Sequence, residues 1–358
     1  MKNHNDIILF LNYSFISNRR ILQFIDENLL DNFLYLNNKS LIENQFLTDD
    51  EKDRLLESLK YLNIEQLKNQ LYSYGIKYLN ILENDYPQRL KNIFDPPAIL
   101  YYRGNISMLK NPLAVIGSRK ASDYGIWATN KLISELKGYD VSIVSGMALG
   151  IDRAAHMAAI DNNIFTAGVL ASSIDIQYPK RNNDLYNLMK DNLLISEYPL
   201  NVEPLRRNFV IRNRIISGLS LGVIVVEANE SSGSLITANF AIEQNKDVFG
   251  VPGNINLISS KGTNMLISKG AHMVTSGKDI IDKMPFIKEI DKVSRLNLNK
   301  LQLSDIDLKV IDILKRGLFS IDEISNISQL KISQLYVTLT KLEMNDIIHK
   351  LPSGKFTL

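Results

Sequence analysis

The sequence contains no cysteine and only four histidines among its 358 residues. The absence of cysteine excludes disulfides, thiolate catalysis and cysteine-ligated metal sites. The histidines are scattered along the chain, so they lack the close spacing that binds a transition metal. We therefore expect neither a metal nor another cofactor.

Long apolar runs are also absent. No stretch approaches the roughly 20 residues that cross a bilayer. The apolar N-terminal stretch is short and interrupted by Asn12, unlike the apolar region of a signal peptide. We expect a cytoplasmic protein that makes no membrane contact.

The chain has no large excess of charge of either sign, because 41 basic side chains face 39 acidic ones. The resulting net charge of +2 neither requires nor excludes a nucleic-acid partner, which only a local basic cluster would indicate. The hydrophobic fraction of 45% is typical of globular proteins, and the length predicts two or three domains.

Glycine is nearly missing from residues 1–85, where Gly75 is the only one. Apolar residues recur there at helical spacing, for example over residues 50–59. This pattern predicts a small N-terminal helical domain of the SAM or helix-hairpin-helix type.

Residues 86–285 have a different character, because short apolar, β-branched runs alternate with helical patterns such as 122–137 and 149–161. Several runs are apolar on both faces, as buried parallel strands require. The alternation predicts an α/β fold with a doubly wound, mostly parallel sheet whose ligands bind at the carboxyl ends of the strands. The predicted strands are 113–116, 141–144, 165–170, 193–195, 222–226, 247–251 and 271–274.

The C-terminal part of the chain begins with a polar stretch, 286–300, which predicts a linker. Residues 301–358 contain three helical patterns. Two β-like stretches, 347–350 and 355–358, then bracket the turn Pro352-Ser353-Gly354. Three helices and a short hairpin predict a winged-helix-like domain.

The first strand of the α/β region runs into Gly117-Ser118-Arg119 and then a helix. Glycine lets backbone approach a ligand, a helix N-terminus favours anions, and arginine offers a fork that suits phosphate. The loop is neither a GxGxxG fingerprint nor a P-loop. A structural role, in which Gly117 makes a tight turn and Ser122 caps the helix, explains the same residues equally well.

Two basic clusters follow later strands. The first contains Lys180 and Arg181, and the second, 204–214, holds four arginines and no acid. Arginine favours bidentate contact with phosphate, and Phe209 offers a ring on which a base could stack. A solvated surface, or arginine paired with Glu197 or Glu203, is the structural alternative. The candidate anion-binding residues of both clusters are Lys180, Arg181, Asn183, Arg206, Arg207, Arg212, Asn213 and Arg214.

A third anion-receptive loop, Ser232-Gly233-Ser234, precedes another helix and also reads as a turn and cap. Asp152 and His156 share one helical face because they are four residues apart. For that pair, a hydrogen-bonded contact at the helix end is favoured over a metal or acid–base site.

Catalytic signatures are missing: there is no Ser–His–Asp pattern, no GxSxG and no metal-ligand spacing. The candidate acids have no partner placed for acid–base chemistry. The sequence therefore predicts a protein that holds anions and assigns no catalytic residue. The acids considered are Asp152, Asp175, Glu197 and Glu227.

Taken in order, the loops between about residues 84 and 283 resemble the DprA/Smf family. The motifs that carry the resemblance are Gly117-Ser118-Arg119, Ser145-Gly146-Met147-Ala148-Leu149-Gly150-Ile151-Asp152, Tyr178-Pro179, Ser196-Glu197-Tyr198-Pro199, Arg212-Asn213-Arg214, Ser232-Gly233-Ser234-Leu235-Ile236-Thr237-Ala238, Val251-Pro252-Gly253 and Gly262-Thr263-Asn264.

The resemblance implies an extended Rossmann-like fold that binds and protects single-stranded DNA in a positive pocket. It also implies a homodimer that loads a RecA-type recombinase during natural transformation, the uptake of DNA by competent cells. Carried over by motif, Arg119 and Lys180 are the foremost DNA-binding residues. Those that follow are Gly117, Ser118, Arg212, Arg214, Ser232, Gly233 and Ser234.

Two other functions compete. The first is a nucleotide-binding enzyme, such as a phosphoribohydrolase of the cytokinin-activating type, whose loop reads Pro-Gly-Gly-x-Gly-Thr-x-x-Glu. Here Pro252-Gly253 is followed by Asn254, and Gly262-Thr263 comes later without the glutamate. The second is a duplex-DNA regulator acting through the winged helix. Its candidate recognition helix, 331–344, has only two cations, which favours a protein-contacting or auxiliary role.

Overall fold

In the computed structural model, the residues described are 3–30, 47–289, 304–314, 317, 319–344, 347–351 and 354–357. They divide into two compact units: residues 1–137 with 141–287, and residues 138–140 with 288–358. Within the described ranges, every helix is too short or too polar to span a bilayer.

The described residues at the start of the first unit form α1 (His4–Tyr13), α2 (Asn18–Asp26), α3 (Asp49–Tyr61) and α4 (Ile64–Ser73). A capping box starts α3, because the Thr48 hydroxyl accepts from the Glu51 amide at 3.2 Å and the Glu51 carboxylate accepts from the Thr48 amide at 3.1 Å. Residues 7–11 of α1 are fully buried and share one apolar core with Tyr101 and Leu194 of the sheet.

A nine-stranded sheet forms the centre of this unit. Its strands are β1 (Lys77–Asn80), β2 (Ile99–Arg103), β3 (Pro112–Gly117), β4 (Ser142–Ser145), β5 (Thr166–Val169), β6 (Leu193–Ser196), β7 (Gly222–Glu227), β8 (Asp247–Gly250) and β9 (His272–Met273). Their order is β1-β2-β6-β5-β4-β3-β7-β8-β9. The strands from β3 onward pair in parallel, whereas β1 and β2 pair antiparallel with each other and β2 pairs antiparallel with β6.

Helices connect the strands on both faces. They are α5 (Gln88–Lys91), α6 (Asp123–Glu135), α7 (Ile151–Asp161), α8 (Asn183–Leu188), α9 (Arg206–Leu219), α10 (Gly233–Glu243), α11 (Ile258–Ser268) and α12 (Gly277–Lys283). All six residues of β7 are buried, as its apolar, β-branched sequence predicts for a strand covered on both faces. The predicted doubly wound, mostly parallel α/β sheet is confirmed.

One expectation about this unit is wrong. The helical pattern expected up to residue 85 ends earlier, because Lys77–Asn80 is strand β1 and belongs to the sheet. Neither β1 nor β2 was among the predicted strands. Both lie on the antiparallel side of the sheet, outside the repeating βα pattern that indicated the others.

The second unit contains α13 (Asp305–Leu314), α14 (Ile321–Ser328), α15 (Ile332–Met344) and the antiparallel pair β10 (His349–Lys350) and β11 (Phe356–Thr357). The predicted winged helix is confirmed. In the same unit, Tyr139 forms a β-bridge with Glu289, and the Asp140 amide donates to the Lys288 carbonyl at 3.0 Å. Most of the predicted linker, residues 290–300, lies outside the described residues.

Candidate functional site

A cleft opens at the carboxyl edge of the sheet, where β3 has β4 on one side and β7 on the other. The chain leaves β3 toward β4 and returns to β7 on the opposite side, so the helices after these strands diverge and leave a crevice between them. The cleft has a volume of about 930 Å³. It is lined by residues of the Gly117–Lys120 loop, of α9 and of the loop before α10.

The first wall of the cleft, the loop after β3, is held against β7 and α7. The Ser118 amide donates to the Glu227 carbonyl at 2.7 Å, and the Ile151 amide donates to the Ser118 carbonyl at 3.1 Å. A Cβ at Gly117 would meet the Ile151 side chain at 2.6 Å. Glycine is therefore required at position 117 for this close approach.

The helix that follows this loop is fixed by two caps. The Ser122 hydroxyl accepts from the Gly125 amide at 3.1 Å, and the Glu227 carboxylate accepts from the Ser122 amide at 2.8 Å. The sequence alternative, in which Ser122 caps the helix, is thus correct, and it coexists with an exposed Arg119 at the cleft.

Aromatic rings lie next to Arg119. Its guanidinium carbon lies 4.9 Å from the centroid of the Phe209 ring, and the Phe209 and Tyr178 rings are 5.7 Å apart at an interplanar angle of 58°. The contact of a guanidinium with an aromatic face orients the cation and leaves its outer edge open to solvent. An oriented cation beside two rings suits a phosphate with a neighbouring base.

The floor of the cleft contains a buried cation, Arg212. Its Nη1 donates to the carbonyls of Gly146, at 2.7 Å, and of Val169. It therefore ties the loop after β4 to the end of β5. Burial raises the pKa of the neighbouring Asp152 carboxyl, and the positive charge of Arg212 opposes that shift. The Arg212 side chain is thus engaged with the protein and is 4% exposed.

Arg214 lies in a different environment on α9. Its Nη2 donates to Glu197 Oε2 at 2.6 Å and its Nε donates to Asp95 Oδ2 at 2.9 Å. Although burial alone would lower the pKa of the Arg214 guanidinium, the Glu197 and Asp95 carboxylates raise it. The sequence alternative that pairs an arginine with Glu197 is confirmed for this residue, and the interpretation of Arg214 as a direct anion contact is not supported by its burial.

Helical spacing separates the arginines of α9 onto two sides. Arg206 and Asn213 line the cleft with Phe209. Arg207 and Arg214 instead line a separate groove of about 1350 Å³. The four arginines therefore do not form the single cluster that their sequence run indicates.

The turn after β5 projects its cations outward. Lys180, Arg181 and Asn183 are exposed and follow the cis Tyr178–Pro179 bond, yet they are not among the residues that line the cleft. Asn182 between them is buried and donates to the Met147 carbonyl at 2.9 Å, which anchors the turn beside the loop after β4. This turn adjoins the cleft through Tyr178.

The loop before α10 provides hydroxyl and backbone groups. Ser232 caps the helix, and its Oγ lies 2.7 Å from the Oγ of Ser234. Asn213 donates to the Gly233 carbonyl at 3.4 Å. A Cβ at Gly233 would meet nothing within 4 Å, so the backbone there is open to the cleft.

The structure thus brings together most of the predicted site and adds to it. The predicted residues that line the cleft are Gly117, Ser118, Arg119, Arg206, Arg212, Asn213, Ser232, Gly233 and Ser234. Lys120, Tyr178 and Asn229 also line it but were not predicted as site residues. The position of Lys120 directly after Arg119 was the available signal for that residue.

The predicted contact between Asp152 and His156 is wrong. His156 Nδ1 lies 2.7 Å from Thr166 Oγ1, whereas Asp152 accepts from the Ala148 amide at 3.4 Å. Burial, together with the charge of Arg212, lowers the pKa of His156 to about 3. Among the described residues, no group of histidines and carboxylates is arranged to hold a metal ion.

Comparison with known proteins identifies relatives of both units. Residues 77–285 match the DNA recombination-mediator protein A family, and residues 298–354 match the DprA winged helix domain. The chain is 46% identical over 209 residues to the DNA processing protein DprA of Streptococcus pneumoniae, which covers 58% of this chain and 74% of that protein.

Two solved structures are similar. The X-ray structure of DNA processing protein A from Streptococcus pneumoniae has a TM-score of 0.69 and 36% identity, covering 79% of this chain and 98% of that chain. A structure of DNA processing protein A from Helicobacter pylori, described for its single-stranded DNA binding mode, has a TM-score of 0.53 and 32% identity, covering 59% of this chain and 96% of that chain.

Proposed function

The chain belongs to the DNA recombination-mediator protein A (DprA/Smf) family, and on that premise we propose that it binds single-stranded DNA in the cleft at the carboxyl edge of the sheet. The observation that carries the proposal is Arg119, an exposed cation held over the Phe209 ring at the mouth of the cleft. Arginine contacts phosphate, and an adjacent ring stacks bases without reading their sequence.

The proposed contacts divide by position. Arg119, Arg206 and Lys120 contact phosphates from the lining of the cleft, and the Gly233 region offers backbone and hydroxyl donors. Lys180, Arg181 and Asn183 contact the strand from the adjoining exposed turn. Arg212 and Arg214 act as positioning residues, because their guanidinium groups are engaged with protein carbonyls and carboxylates. Arg207 faces the separate groove and is left out of the proposed path.

Holding a strand fits this site better than breaking a bond. Each acid considered from the sequence is engaged: Asp152 and Asp175 accept from backbone amides, Glu227 accepts from Ser122, and Glu197 is paired with Arg214. A general acid or base must lie within hydrogen-bond reach of the proton it transfers, whereas the contacts of these carboxylates are with groups of the protein. We propose that the protein acts on DNA without a catalytic residue.

The phosphoribohydrolase alternative loses support at Gly253. Its amide donates to Asn264 Oδ1 at 3.1 Å, and its carbonyl accepts from Asn264 Nδ2 at 3.0 Å. The backbone groups that such a loop would offer to a nucleotide are therefore occupied by a side chain of the protein.

We further propose that the bound strand is protected and handed to a RecA-type recombinase during natural transformation, and that the protein acts as a homodimer in the cytoplasm. Membership of a recombination-mediator family supports this role. In a strand-exchange assay, single strands are first coated with a single-strand-binding protein. The present protein should then shorten the lag before RecA-type filaments form. An unchanged lag would contradict the handover.

Fluorescence anisotropy with a labelled single strand tests the binding step. We expect tight binding that an unlabelled duplex does not compete away, and an affinity that falls steeply with salt because phosphate neutralisation dominates. The Arg119→Ala/Lys180→Ala variant should lose affinity about equally for all sequences. Lys60→Ala, which removes an exposed cation from α3, is the matched control. A flat salt response or equal competition by duplex would contradict the proposal.

A further inference from the structure

Two aromatic side chains form an exposed stacked pair on α6. The Tyr124 and Trp127 rings have centroids 6.0 Å apart and an interplanar angle of 29°. They are three residues apart, hence on one face of the helix, and they are 44% and 56% exposed. Large aromatic side chains are usually well buried, so an exposed pair with aligned rings indicates a binding surface.

The pair is anchored next to the proposed strand-binding cleft. The Tyr124 hydroxyl donates to the Pro252 carbonyl at 2.7 Å, which fixes the ring against the loop after β8. That loop continues to Ile258 and Ser259, and both residues line the cleft. On the other side, α6 begins directly after the Gly117–Lys120 loop, so the aromatic pair and the cleft share two chain segments.

Charge around the pair favours an anionic partner. Arg119 and Lys120 are exposed just before α6, while Asp123 is the one exposed acid in the first turn of α6. Ile255 is also exposed, and it lies in the same loop after β8 whose Pro252 carbonyl accepts from Tyr124. Aromatic faces bordered by cations are what the bases and phosphates of a single strand require.

We propose that Tyr124 and Trp127 form a stacking platform for nucleobases, which extends the path of a single strand from the cleft onto α6. The proposal rests on the proposed function, since it places a second part of the same strand. The platform contacts only strands long enough to leave the cleft. Stacking is tolerant of sequence because every base presents a flat face, so the platform adds affinity and length dependence without base selectivity.

The test compares two labelled single strands, one of about four nucleotides and one of about 20, by anisotropy. Trp127→Ala should weaken binding of the long strand by roughly tenfold and leave the short strand unchanged, since one stacked base is lost. Trp127→Phe should restore most of the affinity because it keeps a stacking face. Tyr72→Ala removes a still more exposed ring from α4 and is the control. Thermal melts check that each variant is folded.

Trp127 is the single tryptophan of the chain, so its fluorescence reports this surface directly. The unlabelled long strand should quench it, whereas the short strand should not. Two results together would overturn the platform and leave the cleft proposal standing. The long strand would bind Trp127→Ala as tightly as the wild type, and it would leave the Trp127 fluorescence of the wild type unchanged. If Trp127→Ala instead reduces self-association in sedimentation with strand affinity unchanged, the surface serves a second copy of the chain. If neither strand binds the wild type, the proposed function fails, and the platform with it.

Discussion

The guanidinium of Arg119 lies over the Phe209 ring, with 4.9 Å between the guanidinium carbon and the ring centroid. The two residues are far apart in the sequence and come from opposite walls of the cleft, the loop after β3 and helix α9. Their contact holds the one exposed arginine of the Gly117–Lys120 loop in a defined orientation.

Arg119→Lys separates orientation from charge. Lysine keeps the positive charge but has no planar fork to lie over Phe209. We expect a loss of single-strand affinity smaller than that of Arg119→Ala, with the salt dependence of the wild type. Arg119→Ala should reduce the slope of log K against log salt by about 0.7, the contribution of one phosphate contact on a single strand. Anisotropy titrations at several salt concentrations measure both, and identical slopes for all three proteins would argue against a phosphate contact.

Gly117→Ala tests the close approach between the loop and α7. The added methyl would meet the Ile151 side chain at 2.6 Å and the Glu227 carbonyl at 2.9 Å. We expect a decrease of about 1–3 kcal/mol in the free energy of unfolding. Gly233→Ala is the control, because nothing lies within 4 Å of the added atom, and its stability should stay within about 0.5 kcal/mol of the wild type. Urea denaturation measures both, and equal stabilities would show that the loop relaxes at no cost.

Arg214 is predicted to support the fold. Arg214→Met leaves the Glu197 carboxylate buried without its partner, so the free energy of unfolding should fall by about 3–5 kcal/mol. Adding Glu197→Leu should recover part of that loss, because the uncompensated charge is removed. Urea denaturation of the two single variants and the double variant measures the coupling. If the effects of the two substitutions on the free energy of unfolding are additive, the coupling between Arg214 and Glu197 is contradicted. A smaller slope of log K against log salt in folded Arg214→Met would show that Arg214 contacts phosphate.

His156 predicts a loss of stability in mild acid. Burial and the charge of Arg212 lower its pKa from 6.5 to about 3 in the folded state, so below pH 6.5 the unfolded chain binds a proton that the folded chain does not. The stability is therefore full above about pH 6.5 and decreases as the pH falls toward the folded pKa, by up to about 1.4 kcal/mol per pH unit.

The window from pH 6.5 to 5 isolates this effect, since most carboxylates remain ionised there. Melting temperatures of the wild type and of His156→Gln should diverge with pH: the wild type loses stability as the pH falls, and the variant, which has no imidazole to titrate, stays flatter. Parallel curves would assign the acid sensitivity to other groups.

The parallel part of the fold was predictable from the sequence because each buried strand is a short β-branched run followed by a helix. The antiparallel strands β1 and β2 were not, since Lys77–Asn80 alternates too briefly to show a period and follows a helical stretch. The position of β2 depends on its pairing with β6, a contact between residues distant in the chain, and β1 in turn pairs with β2.

The site was predictable in its loops and less so in its arginines. Composition alone groups the four arginines of α9 into one basic cluster. The helical period, however, places Arg206 and Asn213 on one side of the helix and Arg207 and Arg214 on another. Burial of Arg212 and Arg214 depends on carbonyls and carboxylates that the fold supplies from distant segments of the chain, so no local pattern reveals it. The exposed pair on α6 was missed for a similar reason, because Tyr124 and Trp127 fit an ordinary helix whose rings could have faced the core.

The bridge between Tyr139 and Glu289 has a practical consequence for anyone who shortens this protein. A fragment cut after Ile287 would remove both the Glu289 partner of Tyr139 and the Lys288 carbonyl that accepts from the Asp140 amide. A boundary placed after Glu289 keeps both contacts. Expression yields and melting temperatures of the two fragments should therefore differ, although their lengths differ by only two residues.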